Sequence, residues 1–339
     1  LSRDRLSHAV ERPHGVLAGA MPRNLERSAL SACASRNGAI IGGLRLRPPR
    51  SRCAGTRSNA SSMKNEESSR QRLLEINRQQ AEFYEQDLYV QRDRQSLPVR
   101  IWGAVRDSLH RFRQETGIGS AADELHQLWL GDLAGSKVLD LGVGCGNALS
   151  IGIARRCREY HAIDLSERLA ASFQQALLAE GLQDARSYRA DFLADEFAER
   201  DFDIIYALGV AHHFEDFDLF LATAQQRLKP GGRMITYDPL NTFWVSRLLR
   251  AMFRPFQNDA AWEWPFARRN FELIGRRFRI EAVQGTLGRS KWAFPLVVLN
   301  PQWAIRRGRE AHLRDLAECN RVASPLFRCL HVTMCLVRK

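Results

Sequence analysis

The sequence predicts an α/β fold: a doubly wound, seven-stranded, mostly parallel sheet with one antiparallel edge strand, a helical N-terminal cap and a helical insertion after the fifth strand. Three observations predict it. From residue 137 onward, short apolar runs alternate with amphipathic segments of helical length, the pattern of βαβ units with helices on both faces of a parallel sheet. A punctuated turn, 228-LKPGGRMIT, leads into the fifth of those runs, with Pro230 placed to stop a helix and Gly231 and Gly232 to turn the chain. Two late extended runs, 278-FRIEAVQGT and 326-LFRCLHVTMCLV, pair most economically as antiparallel neighbours at one sheet edge.

The elements follow in order. Residues 66–85 carry an apolar stripe of Leu73, Leu74, Ile76, Ala81, Phe83 and Tyr84 at helical spacing. Helices are expected at 99–112 and 121–130, so that 63–130 forms a helical cap. The short runs 137–142, 159–165, 185–191, 201–209 and 232–238 read as strands, with helices at 147–157, 167–180 and 216–228 between them. Beyond Asp238 come a helical stretch at 241–254, a Trp-rich loop and a helix at 267–276, an insertion spanning about 240–276. Two helices are expected within 295–320, completing a domain over 131–339.

Charge is unevenly placed. The formal net charge is +12, yet residues 1–62 hold eleven of the 50 basic residues and only three of the 38 acidic ones. The remainder is mildly basic, and it has no basic stripe with interleaved aromatics, so nucleic acid is not an expected partner. Residues 1–62 are Arg-rich, lack Lys and show no sustained period. They read as a disordered or non-native extension preceding Met63, with a mitochondrial import signal as the alternative. Seven cysteines without a C-x-x-C pair speak against a disulfide framework or a metal site and fit a reducing, cytoplasmic setting. No apolar run approaches the ~20 residues that span a bilayer.

The stretch 138-VLDLGVGCGNALSIGIA puts Gly142, Gly144 and Gly146 at every second position after a strand that carries Asp140. A dinucleotide fingerprint needs its third glycine where Asn147 stands, and a Walker-type loop needs a Lys that is missing. An aspartate beside the turn repels phosphate and welcomes a cation. A positively charged nucleoside whose carboxylate can meet a helix N-terminus suits these features.

At this point the chain resembles the class I S-adenosylmethionine-dependent methyltransferases, in particular the small-molecule branch similar to the ubiquinone/menaquinone C-methylases. The resemblance implies S-adenosylmethionine as cofactor and assigns roles by position. Asp140, Gly142, Gly144 and Gly146 match the motif that bends around the methionine end. Asp164, with Leu165 beside it, stands 22 residues after Gly142, where the family's carboxylate accepts the ribose hydroxyls. Asp191 and Phe192 match the pair that reads adenine, and Ala207 and Leu208 the carbonyls that meet the cofactor's ammonium. Read singly, the glycine turn, Asp164 and Asp191 could each be a turn or a cap, although Ser166 is the better cap for the helix after Asp164.

His212 and His213 follow the fourth strand at the carboxyl edge, where open α/β sheets bind ligands. Either could take a hydroxyl proton, or simply pack in the cleft wall. Asp238 and Asn241 are the polar groups expected nearest a methyl acceptor, with Trp262 in an aromatic lid. Arg247, Arg250 and Arg254 recur at helical spacing and either greet an anionic group or form a solvated face. The expected activity is methylation of a small apolar or aromatic acceptor, preferably on oxygen, by a monomer or homodimer. The alternatives are a nucleic-acid base methyltransferase and a non-catalytic scaffold that keeps the cofactor fold.

Overall fold

Along Lys137–Leu141, the first strand (β1), side chains alternate between two interiors. Leu139 and Leu141 enter one core and Val138 the other, so this strand is buried on both faces and lies at the centre of a sandwich. The molecule is described by a computed structural model, which defines residues 58–85, 97–256 and 260–339. The expectation placed on residues 1–57 lies outside the described residues. No helix among the described residues is long and apolar enough to cross a membrane.

Three helices precede the sheet: α1 (Ser58–Glu85), α2 (Leu97–Glu115) and α3 (Ile118–Leu130). Helix α1 begins upstream of Met63. The alternating body then runs β1, α4 (Ala148–Arg156), β2 (Glu159–Asp164), α5 (Glu167–Ala179), β3 (Arg186–Arg189), β4 (Phe202–Leu208), α6 (Phe217–Arg227) and β5 (Leu228–Pro239). After α7 (Trp244–Phe253) and α8 (Arg268–Arg277), strand β6 (Phe278–Thr286), helix α9 (Pro301–Glu318) and strand β7 (His331–Arg338) complete the chain.

The seven strands lie in the order β3-β2-β1-β4-β5-β7-β6. The first five are parallel, and β7 runs antiparallel to both β5 and β6. The antiparallel strand is thus β7, inserted between β5 and the outermost strand β6. One face packs Phe217, Phe220 and Leu221 of α6 and Phe271 and Ile274 of α8 against the sheet. The other packs Leu130 of α3, Ile153 of α4 and Phe173 and Leu177 of α5.

Two local expectations are corrected. Helix α6 ends at Arg227, and Pro230 already lies in β5. The register of β5 against β4 slips between Phe202 and Ile204, so Pro230 and its glycines form a strand irregularity, where a missing N–H is tolerated. Between residues 295 and 320 there is one α-helix, α9, capped by Asn300 and opened by Pro301. The segment before it, Ser290–Val298, is a 3-10 helix containing Pro295, whose ring and missing donor disfavour α-helical continuation.

Candidate active site

The glycine turn between β1 and α4 is held by contacts that only glycine permits. A Cβ on Gly142 would meet Val210 Cγ2 at 2.5 Å, and one on Gly146 would meet Phe173 Cδ2 at 2.0 Å. Gly146 also has φ 77°, in the left-handed region that side chains avoid. Asn147, which breaks the dinucleotide fingerprint, instead caps α4 by accepting from the N–H groups of Leu149 and Ser150.

Beside this turn lies a cavity of about 230 Å³ lined by Gly142, Gly144, Asp164, Leu165, Asp191 and Phe192, among others. Two acids from successive strand ends therefore share one cavity. Asp164 Oδ2 accepts from Gly144 N at 2.9 Å and Oδ1 from Ser166 N at 2.9 Å. Ser166, as foreseen, caps α5 through its hydroxyl. Asp191 accepts from Leu193 N at 2.9 Å, and both its oxygens accept from Asn77 Nδ2 at 2.9 Å. Burial pushes both carboxyls above their ordinary range, against the pull of these donors. Partly desolvated acids of this kind gain from a ligand that brings hydroxyls or an amine to them.

Asp140 does not join them. Its side chain shares the face of Val138, is 2% exposed, and accepts from Tyr160 Oη at 2.7 Å. Strand alternation is the reason: Leu141 lines the cavity, so Asp140 must point to the opposite interior. Burial raises Asp140 from 3.8 to about 6, with the Tyr160 hydroxyl opposing. The folded protein therefore holds a proton that the unfolded chain has lost between pH ~4 and ~6, and stability falls as pH rises through that window. Asp140→Asn is expected to raise stability at neutral pH by about 1–3 kcal/mol, with the gain fading below pH ~4. Urea unfolding at both pH values checks it, and a variant less stable than the parent at neutral pH would contradict the assignment.

Ala207 and Leu208 also fall outside the cavity lining. Both are engaged in the β4–β5 ladder, opposite Thr236 and Tyr237. The chain first leaves the ladder at Gly209, whose N–H bonds to Tyr237 O at 2.8 Å, and Gly209 and Val210 form the wall instead. Gly146 likewise stands back from the lining, pressed on Phe173.

The two histidines part company. His213 lines the cavity, donates from Nδ1 to Trp262 O at 2.9 Å, and stands edge-on to Tyr84 at 6.5 Å. His212 is buried, and its Nδ1 lies 2.9 Å from Asp238 Oδ1, which also accepts from His212 N at 3.1 Å. The rings are 4.2 Å apart. Trp262 falls outside the cavity lining: its ring packs on Phe83 at 4.9 Å, and its carbonyl holds His213. Asn241 donates its N–H to Phe266 O at 2.8 Å, and its Oδ1 is buried without a partner among the described residues.

Residues the sequence reading missed come mostly from α1: Asn77 and Gln80 line the cavity, and Gln80 Nε2 bonds His213 O at 3.3 Å. Arg227 is another, buried and bonded to the carbonyls of Phe192 and Ala194 at 3.0 and 3.2 Å. A lone Asn or Arg on a helix gives no local signal of such a contact. The five described cysteines are unbridged. Glu159, His161 and Glu199 converge as metal ligands do, but Lys137 Nζ already sits among them, 3.0 Å from Glu159 and 2.6 Å from Glu199.

Residues 139–234 match the family described as a methyltransferase domain. With the strand order and the glycine-turn cavity, this makes the segment a class I S-adenosylmethionine-dependent methyltransferase domain. The ubiquinone biosynthesis O-methyltransferase of Pseudomonas putida is 36% identical over 103 residues, covering 30% of this chain and 44% of that protein. Its counterpart in Rhizobium etli is 28% identical over 190 residues, 55% of this chain and 74% of the other. The chain thus spans less than half the length of the Pseudomonas relatives it matches. Among solved structures, geranyl diphosphate C-methyltransferase from Streptomyces coelicolor is 15% identical, with a TM-score of 0.46 over 69% of this chain and 84% of that one.

Proposed function

We propose that the chain transfers a methyl group from S-adenosylmethionine to a hydroxyl of a small acceptor with an apolar or aromatic body, His212 serving as the base. The observation that carries this reading is the His212–Asp238 pair, 2.9 Å between Nδ1 and Oδ1, next to the cavity wall. An aspartate that accepts from Nδ1–H fixes the tautomer, leaves the Nε2 lone pair for a substrate proton, and stabilises the imidazolium that results. Nε2 itself makes no hydrogen bond among the described residues.

The cofactor, when bound, supplies a sulfonium methyl with a good leaving group. The chain's task is then to position and to exclude water. Asp164 and Asp191 suit the ribose hydroxyls and the exocyclic amine, Phe192 the adenine plane, and the bare backbone at Gly142 and Gly144 the methionine end. Helix α1 and the segment carrying Trp262 cover the cavity. His213 serves as wall.

His212→Gln is expected to lower kcat by about 10²- to 10⁴-fold while S-adenosylhomocysteine binds as before. Label transfer from S-adenosylmethionine to a panel of phenols, quinols and hydroxy acids reads the first, and calorimetry the second. Undiminished turnover removes His212 from the chemistry. Cofactor binding by the parent without turnover on any member of the panel favours the scaffold reading.

A further inference from the structure

Six buried side-chain polar atoms without a hydrogen-bond partner among the described residues sit on elements that meet around the carboxyl end of β5, near the His212–Asp238 pair. They are Asp238 Oδ2, Asn241 Oδ1, Ser246 Oγ, Arg250 Nε, Arg113 Nε and His331 Nδ1. Secondary structure brings them together. His331 opens β7 opposite Pro239 and so shares the face of Tyr237, while Asp238, opposite Val332, projects from the other face at the same strand end. Ser246 and Arg250 lie one turn apart on α7. Arg113, on α2, donates from Nη2 to Tyr237 Oη at 2.6 Å, and the Tyr237 ring stacks on His331 at 5.3 Å. Burial, reinforced by the charges of Arg113 and Arg250, pushes His331 well below its ordinary range.

A single orphaned atom is common in a folded protein, but over nine in ten buried polar groups find partners, because one left without pays its full desolvation. Six such atoms on elements that converge on one strand end point to a place where something else completes the bonding. Its charge follows from the cations. Guanidinium groups keep their proton, and neither Arg113 nor Arg250 makes an ion pair among the described residues. Asp123 acts on Arg113 and Glu263 on Arg250 only through space. Asp238, the acid within the shell, is engaged by His212. Neither guanidinium is thus paired with an acid among the described residues, and the one acid beside them, Asp238, is spoken for. A planar guanidinium fork matches a carboxylate or phosphate better than any neutral group.

We propose that the methyl acceptor is an anion, its carboxylate or phosphate held between Arg113 and Arg250 and its hydroxyl directed to Asp238, Asn241 and His212. This rests on the reading of the adjoining cavity as the cofactor site. It narrows the acceptor class from any small phenol or alcohol to acidic ones.

The test titrates the full chain, with and without S-adenosylhomocysteine, with 4-hydroxybenzoate, 4-hydroxyphenyl phosphate and the neutral 4-hydroxybenzamide. At least one anion should bind at least 10-fold tighter than the amide, and the tighter of the two identifies the preferred headgroup. Arg250→Gln should reduce that anion's affinity at least 10-fold and leave S-adenosylhomocysteine affinity unchanged, while Arg250→Lys recovers part of the loss. Arg113→Gln supplies a second reading on a different helix should the first variant melt early. Equal binding of amide and anions, no binding of either anion, or indifference of the anion to both arginine substitutions overturns the proposal. Failure of S-adenosylhomocysteine to bind the parent instead overturns the cofactor reading, and the anion titrations made without it still decide the arginine site.

Discussion

Gly146→Ala is expected to cost the protein about 2–5 kcal/mol of stability, enough to consume much of the margin of a typical domain. The added methyl would stand 2.0 and 2.1 Å from Phe173 Cδ2 and Cε2. Phe173 cannot retreat: it is fully buried in the core formed with Tyr160, Ile153 and Leu177. Overpacking of this kind costs about 1–3 kcal/mol, and holding alanine at φ 77° adds about 1–2. Gly144→Ala separates the two contributions, because its φ is 58° but nothing lies within 4 Å of the new methyl. It should lose only the backbone share. Urea midpoints for the two variants measure the difference, and equal losses would mean that the Phe173 contact is soft.

Asp164→Ala is expected to weaken S-adenosylhomocysteine binding by about 2–3 kcal/mol, or about 30- to 150-fold. Two effects add. The carboxylate is lost to the ligand, and the N–H groups of Gly144 and Ser166 lose their 2.9 Å acceptor, which loosens the turn that shapes the cavity floor. Asp164→Asn retains one acceptor oxygen and should lose less. Calorimetry on the three proteins decides the matter, and unchanged affinity in the alanine variant would remove Asp164 from the ribose.

What could be read in the sequence was what is written locally. The strand runs, the glycine spacing, and the caps at Asn147 and Ser166 depend on neighbours a few residues away, and the sheet follows from their alternation. Asp164, Asp191 and Phe192 share a cavity because parallel strands present the same end to one crevice. Asp140 was placed there by motif, yet period-two alternation sends it through the sheet once Leu141 is known to face the cavity. His212 and Asp238 were singled out for separate roles, and only the parallel pairing of β4 with β5 makes them partners. Asn77 lies 114 residues from Asp191, and the shell around Arg113 and Arg250 gathers side chains from four separate elements. Nothing in a linear pattern announces contacts closed over such distances.

Helix α1 is fastened to the sheet end by bonds that include Asn77 to Asp191, Gln80 to His213 O, Glu85 to Ser166 at 2.6 Å, Arg168 Nη2 to Tyr84 O at 3.0 Å and Arg72 to Glu215 at 2.8 Å. The first of these occupies the very carboxylate proposed to read the nucleobase. A carboxylate keeps lone pairs for a further donor, so an arriving nucleoside can share Asp191 with Asn77 and add to the fastening of the helix that carries that amide. Exchange of the amide protons along α1 should slow on ligation more than that of any sheet strand, since a strand buried on both faces has little freedom left to lose.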